Sequence, residues 1–342
     1  MSKTRSDEIR RFILNNAPEN SRAIVALTAE HFGITRQAVN KHIRVLLDEK
    51  KLKCEGTTKS RQYSLMEEHW GKTYLLDGKL NEETVWSEIK PLLSGLPVNV
   101  RNIWNYGITE MVNNAIDHSE GTKVEVLVAK TAINTKCFIS DNGVGIFKKI
   151  KNALNLDEES HAVLELGKGK LTTDPQRHSG EGVFFTSRSF DQTFIASEKI
   201  CFAHRGDEKE DYVLEPETEV KGTRVSLELS NDSQRQIKDV FDQYTSDDGE
   251  YGFTKTVIPV RLAQYGDETL ISRSQAKRLL MRFEKFKVVV LDFSGVHEIG
   301  QAFADEIFRV YRNAHPETEI SHTNACDQVD KMIRRAETHD SV

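Results

Sequence analysis

The sequence predicts a multidomain α/β protein: an α+β amino-terminal module, a central α/β module and a carboxy-terminal α/β layer. Three observations carry this. Apolar residues recur with the helical period in three stretches of the first fifty residues, then alternate around a glycine. In the middle, an apolar-periodic helix is followed by a strand and then by two glycine pairs. Near the end, the short apolar run Val288-Val-Val-Leu291 reads as a buried strand between helical patterns. At 342 residues, two or three domains are expected. We place them at 1–66, 80–231 and 251–342, with 232–250 as a polar, helical connector.

In the first module the periodic stretches are Ile9–Leu14, Ile24–Phe32 and Val39–Leu47. Gly33 ends the second helix, Thr35 can cap the third, and Ile34, Ala38 and Val39 tie the pair together. The third helix carries Arg36, Gln37, Asn40, Lys41 and Arg44 on its polar side. Alternating strands follow around Gly56, with Lys59 and Arg61 between them. Three helices and a β-hairpin resemble the winged helix-turn-helix family. That resemblance implies insertion of the 35–48 helix into the major groove of double-stranded DNA, through Thr35, Arg36, Gln37, Asn40 and Lys41, with Lys59 and Arg61 on phosphate. A winged helix used for protein contacts is the alternative. Charge favours DNA. Residues 1–64 hold thirteen Lys/Arg against seven acids, or +6, which leaves −12 for the remainder of a chain of net charge −6.

The central module carries three spaced motifs. The first is Glu110-Met-Val-Asn-Asn114-Ala-Ile-Asp117-His118, on a helix with apolar Ile103, Trp104, Ile108, Met111, Val112, Ala115 and Ile116. The helical period puts Glu110, Asn114, Asp117 and His118 on one face. The second, Asp141-Asn-Gly143-Val-Gly145, follows the strand-like Lys136-Cys-Phe-Ile-Ser140. The third, Gly180-Glu-Gly182, ends a long polar stretch and opens the helical Val183–Phe190. Each has its chemistry. Asp141 can accept from an exocyclic amine such as that of adenine. Gly143 and Gly145 permit positive φ and close backbone approach to a ligand. Free N–H groups at a helix start, beside Gly180 and Gly182, favour phosphate. Asn114 offers an amide oxygen to Mg²⁺, and Glu110 can orient or deprotonate a water. Singly these are weak signals, since Asp-x-Gly-x-Gly is usually a turn and a helical Glu/Asn pair usually a solvated face. Their order is specific.

That order, over residues 80–230, resembles the GHKL ATPase superfamily, among them the type II topoisomerase ATPase, ATP-driven chaperones, histidine kinases and anti-sigma-factor kinases. The resemblance implies the Bergerat α/β-sandwich fold, with ATP and Mg²⁺ as cofactors. Glu110 takes the place of the general base, Asn114 of the Mg²⁺ ligand and Asp141 of the adenine-reading acid. Residues 147–179 take the place of the mobile ATP lid, and Gly222-Thr223 of the late-strand pair that closes the adenine pocket. The ATP-binding set expected is Asn114, Asp117, Asp141, Gly143, Gly145, Ile146, Gly180, Gly182, Val183 and Thr223. The chain departs from many members in having a single Gly-Glu-Gly rather than a longer glycine series. Lys168 and Lys170, in Gly-Lys-Gly-Lys, either reach phosphate from the lid or belong to a solvated loop.

In the last module Phe253–Arg261 and Lys287–Phe293 read as strands, with Ser274–Phe286 and segments near 301–313 and 326–337 as helices. Leu291-Asp-Phe-Ser-Gly-Val-His-Glu-Ile299 resembles the STAS fold of anti-sigma-factor antagonists, in a STAS-like variant. The antagonists' phosphorylated serine would fall within Ile299-Gly-Gln-Ala-Phe303, which has no hydroxyl. Ser294 is expected to cap a turn. Asp292, His297 and Glu298 read as loop polarity.

Bulk properties exclude several classes. Charged residues make up 29% and mean hydropathy is −0.52. No apolar run is long enough to span a bilayer, and the first residues lack the apolar core of a signal peptide. Cys54, Cys137, Cys201 and Cys326 are scattered, without metal-ligand spacing, and read as reduced thiols. The expectation is an intracellular, cytoplasmic, ATP-binding and DNA-binding regulator with no membrane contact. ATP binding or slow hydrolysis would control the flanking modules, with a protein partner at the STAS-like module and a homodimer both left open. The alternatives are a serine protein kinase of the anti-sigma type and a scaffold with an inactive pocket. A histidine kinase is disfavoured, because the helix Glu82–Leu93 carries no histidine.

Overall fold

The computed structural model describes residues 4–57, 60–172, 179–206, 210–246, 252–264 and 268–338. The chain opens with three helices, α1 (Arg5–Asn16), α2 (Ile24–Phe32) and α3 (Arg36–Asp48), and the antiparallel pair β1 (Leu52–Glu55) and β2 (Gln62–Leu65). Gly33 sits at φ 61° and stops α2, and the Thr35 hydroxyl caps α3 by accepting from the Ala38 N–H at 3.2 Å. Ile13, Ile24, Val39, Leu46 and Tyr63 close a small core. This unit leans on the next through Ala132 and Ile133, and through an Arg11–Asp232 ion pair.

The central unit is a seven-stranded antiparallel sheet under helices. Its elements are β3 (Glu68–Leu75), α4 (Glu82–Leu93), α5 (Val98–His118), β4 (Lys123–Lys130), β5 (Asn134–Asp141), α6 (Ile146–Leu154), α7 (Ser160–Lys168), α8 (Gly182–Ser189), β6 (Gln192–Glu198), β7 (Ile200–Arg205), β8 (Glu210–Leu214) and β9 (Val220–Ser230). The strand order is β3-β4-β5-β9-β6-β7-β8. Alternation decides the faces: Val124, Val126 and Val128 of β4 point into the core under α5, while Leu127 between them is exposed. The apolar stripe of α5 lands in the same core, with Ile103, Trp104, Ile108 and Val112 fully buried. Between β5 and β6 the chain leaves the sheet for fifty residues, and α6, α7 and α8 belong to that excursion.

The carboxy-terminal unit has three parallel strands in sequence order. They are β10 (Lys255–Pro259), β11 (Val288–Asp292) and β12 (Glu319–Thr323). Around them lie α9 (Ile237–Asp242), α10 (Arg273–Leu280), α11 (Gln301–Asp305), a π-helical stretch Glu306–Tyr311 continuing into α12 (Arg312–Ala314), and α13 (Asp327–Thr338). Three expectations change. The connector forms only α9 among its described residues. The helix expected over 274–286 ends at Leu280, because Met281 is extended and Arg282 adopts φ 66°, ψ 13°. The segment 147–179, expected to be a polar lid, contains two helices, and His161–Lys168 are all buried. The carboxy-terminal core also takes in Leu164, Phe184, Phe185 and Val240 from outside residues 251–342. No helix among the described residues is long and apolar enough to cross a membrane.

Candidate functional site

A cavity of about 310 Å³ lies between α5, the end of β5, the start of α6, the chain after α7 and the start of α8. Its apolar walls are strand residues Ile139, Ile195 and Val225 with Met111, Ile150 and Val183. Its polar lining includes Glu110, Asn114, His118, Lys149, Thr172 and Thr223. Three motifs separated by some seventy residues of sequence thus meet around one space.

Asp141 is the buried carboxyl group of the site. Its Oδ1 accepts the backbone N–H of Gly143 at 2.8 Å and of Thr223 at 3.2 Å, which orients the carboxylate across the two neighbouring strands. Burial pushes its carboxyl above the usual range, and those hydrogen bonds oppose the shift. The Thr223 hydroxyl accepts from the Ile146 N–H at 3.1 Å, so the start of α6 is tied to β9.

Glycine is needed at two places by close approach. A Cβ on Gly143 would meet the Ser119 carbonyl oxygen at 1.9 Å, and one on Gly182 would meet Glu110 Oε2 at 1.9 Å. Gly143 therefore serves by proximity; of the second motif's two glycines, Gly145 is the one with positive φ, at 85°. The Glu110 carboxylate lies directly against the first residue of α8, where free N–H groups collect. Asn114, one turn along α5, has a buried Nδ2 without a hydrogen-bond partner. α8 itself is anchored behind the site. Arg188 forks onto Asp211 at 2.8 and 2.7 Å, and Phe185 stacks on Phe241 with ring centroids 3.9 Å apart.

Of the residues expected to bind ATP, Asn114, Asp141, Gly145, Ile146, Gly180, Gly182, Val183 and Thr223 line the cavity with Glu110. Asp117 does not; it is exposed in the last turn of α5, where the helix leaves the cavity. Gly143 acts through Asp141. Neither lysine lines the cavity, and for Lys168 the solvated-loop reading is overturned as well. Lys168 is fully buried with Nζ on Glu165 Oε1 at 2.5 Å and the Met281 carbonyl at 2.9 Å, and Lys170 Nζ donates to the Lys285 carbonyl at 2.9 Å. Lys149 was missed. It lines the cavity from the second turn of α6 while its Nζ donates to the His118 carbonyl at 2.6 Å and Glu120 at 3.0 Å. Its position one turn beyond Gly145 was the available signal. The walls Ile139, Ile195 and Val225 were legible only as alternating strand residues.

On α3, Arg36, Gln37, Asn40, Lys41 and Arg44 are all exposed, as are Thr35 and Arg61; Lys59 lies outside the described residues. In the carboxy-terminal unit, Asp292 Oδ1 accepts from the Ser294 N–H at 2.9 Å and hydroxyl at 2.8 Å, so Ser294 closes a turn as expected. No group of three or more His, Cys, Asp or Glu suited to a metal occurs among the described residues.

Comparison with known proteins assigns one segment. No curated protein matches the chain, and no winged-helix or GHKL family model matches it. Residues 275–330 match a family model described as a STAS-like domain of unknown function (DUF4325), so the carboxy-terminal unit carries a STAS-like domain.

Proposed function

We propose that this chain is an intracellular regulator in which a GHKL-type site binds ATP with Mg²⁺ and slowly hydrolyses it. In this reading the flanking modules are a DNA-binding winged helix and the STAS-like domain. The single observation that carries it is the cavity itself. Glu110, Asn114, Asp141, Gly182 and Thr223 come from five separate positions in the sequence and line one cavity, which supports the reading. The unpartnered buried amide of Asn114 fits a group held in that space. Asp141 would accept the exocyclic amine of adenine against the apolar walls. The N–H groups at the start of α8 would face the phosphates. Asn114 would hold Mg²⁺, which when bound neutralises charge between the β- and γ-phosphates. Glu110 would orient a water and take its proton.

The free basic face of α3 supports DNA as partner of the first module. Hydrolysis is favoured over transfer to the chain's own STAS-like domain, because Ser294 is engaged by Asp292 and residues 299–303 offer no hydroxyl. Calorimetry on Asp141→Ala tests the site. Losing a hydrogen bond to a charged group costs about 1.5–3 kcal/mol, a ten- to hundredfold loss of ATP affinity. An unchanged dissociation constant would remove the assignment. Incubation with labelled ATP and Mg²⁺ separates the chemistries: free phosphate supports hydrolysis, labelled partner protein supports a kinase.

A further inference from the structure

α7 is enclosed by two cores. Ala162, Val163 and Leu166 pack into the central core, and Leu164 packs into that of the STAS-like side. A helix buried all round normally carries no charge, yet Glu165 and Lys168 are buried on it. Arg282 meets them from the chain just past α10. Its guanidinium donates to the Glu165 carbonyl at 3.3 Å, Glu165 Oε2 at 3.0 Å, the Gly169 carbonyl at 2.9 Å, and the Lys170 carbonyl. In return Lys168 Nζ donates to the Met281 carbonyl at 2.9 Å and the Arg278 carbonyl at 3.5 Å. Each helix therefore has the bare carbonyls of its carboxy-terminal end, and the negative pole of its dipole, capped by a cation from the other. Glu165 lies between the two cations and pairs with both, Oε1 on Lys168 and Oε2 on Arg282.

The backbone of Arg282 shows how far the fold goes to keep this arrangement. Its φ of 66° lies in the left-handed region, which residues other than glycine, asparagine and aspartate rarely adopt, and which persists only where the surroundings over-determine it. What Arg282 holds is a cavity wall. Leu166, Leu171 and Thr172 line the cavity, and they flank the carbonyls of Gly169 and Lys170 that Arg282 grips. Gly182 also lines the cavity, next to Gly180, whose carbonyl accepts from the Leu171 N–H at 2.9 Å, and Phe184 and Phe185 beyond it belong to the STAS-side core.

We infer that Arg282 is a positioning residue for the nucleotide cavity, through which the STAS-like domain sets nucleotide affinity in cis. It rests on the nucleotide reading above. Docking of the domain holds 166–172 against the ligand, and by linkage the bound ligand strengthens that docking. The variant of choice is Arg282→Gly, which removes the guanidinium and suits the left-handed backbone; Arg282→Lys keeps the charge but loses the fork.

Two measurements on the full chain test the inference. A fluorescent ATP analogue with Mg²⁺ should bind Arg282→Gly on the order of tenfold more weakly than wild type, within the 5–150-fold range of such couplings. Arg282→Lys should fall between. In wild type, adding ATP should slow hydrogen exchange at 278–286, residues outside the cavity. A purely structural arginine would lower melting temperature without either effect. Arg282→Gly that folds and binds within twofold of wild type overturns the inference while leaving the nucleotide reading intact. Unchanged exchange at 278–286 on saturation with ATP overturns it equally, even where Arg282→Gly fails to fold. A wild-type chain that binds no nucleotide fails the underlying reading, and the inference with it.

Discussion

Replacing Glu165 with Gln removes the one carboxylate between two buried cations while keeping the side chain's shape. Glu165 is 2% exposed and Lys168 0%; Oε1 lies 2.5 Å from Lys168 Nζ and Oε2 3.0 Å from Arg282 NH1. Breaking a buried pair by removing one partner costs about 3–5 kcal/mol. The lysine's share of that is bounded. Burial, opposed by Glu165, has already brought Lys168 down to about 8. Shedding its proton at pH 7 therefore costs only on the order of 1 kcal/mol. Arg282 has no such escape, since a guanidinium stays charged. We expect a loss of about 3 kcal/mol at pH 7.

The loss should depend on pH with a definite sign. In wild type the folded pKa of Lys168 lies below its ordinary 10.5. Between about 8 and 10.5 the unfolded chain binds more protons, so this lysine adds stability as pH rises through that window. Without Glu165 the folded value drops further, so the variant starts to gain this stability at lower pH and gains more of it in total. The gap between variant and wild type is therefore wider at pH 7 than at pH 9. Urea unfolding followed by circular dichroism at both pH values measures it, with hydrogen exchange at 160–172 to locate the weakened part. A loss below about 0.5 kcal/mol, the range of ordinary surface changes, or an equal loss at both pH values, would refute the reasoning.

Two further outcomes bear on the proposed activity. Glu110→Gln should keep nucleotide bound and slow turnover by about 10²–10⁴-fold, the usual worth of a general base; intact turnover with unaltered binding would make Glu110 structural. Reversing Arg36 and Lys41 to Glu should nearly abolish binding to duplex DNA, and wild-type binding should weaken steeply with salt. Equal DNA binding by a chain lacking residues 1–66, or binding insensitive to salt, would assign the first module to protein contacts.

The sequence by itself determined what is local. Period-3.6 runs located α1, α3 and α5, Gly33 and Thr35 marked the break between α2 and α3, and Leu291–Ile299 pointed to the STAS-like domain that the family comparison identifies. It also picked out residues that line the cavity, such as Asp141 and the Glu110–Asn114 pair, from backbone turns and helix spacing. What it could not contain was the set of contacts between distant segments. Lys168 and Lys170 look like phosphate ligands or loop polarity in Gly-Lys-Gly-Lys, because nothing near them in sequence neutralises or buries them; Glu165 alone would leave Lys168 on a surface. Only the tertiary structure brings Arg282, the Met281 carbonyl and the Lys285 carbonyl to that place, more than a hundred residues away along the chain. Asp117 shows the converse. Helical spacing put it on the right face, but where a cavity ends along a helix is set by the elements packed around it. A period gives direction, and burial is a property of the neighbours.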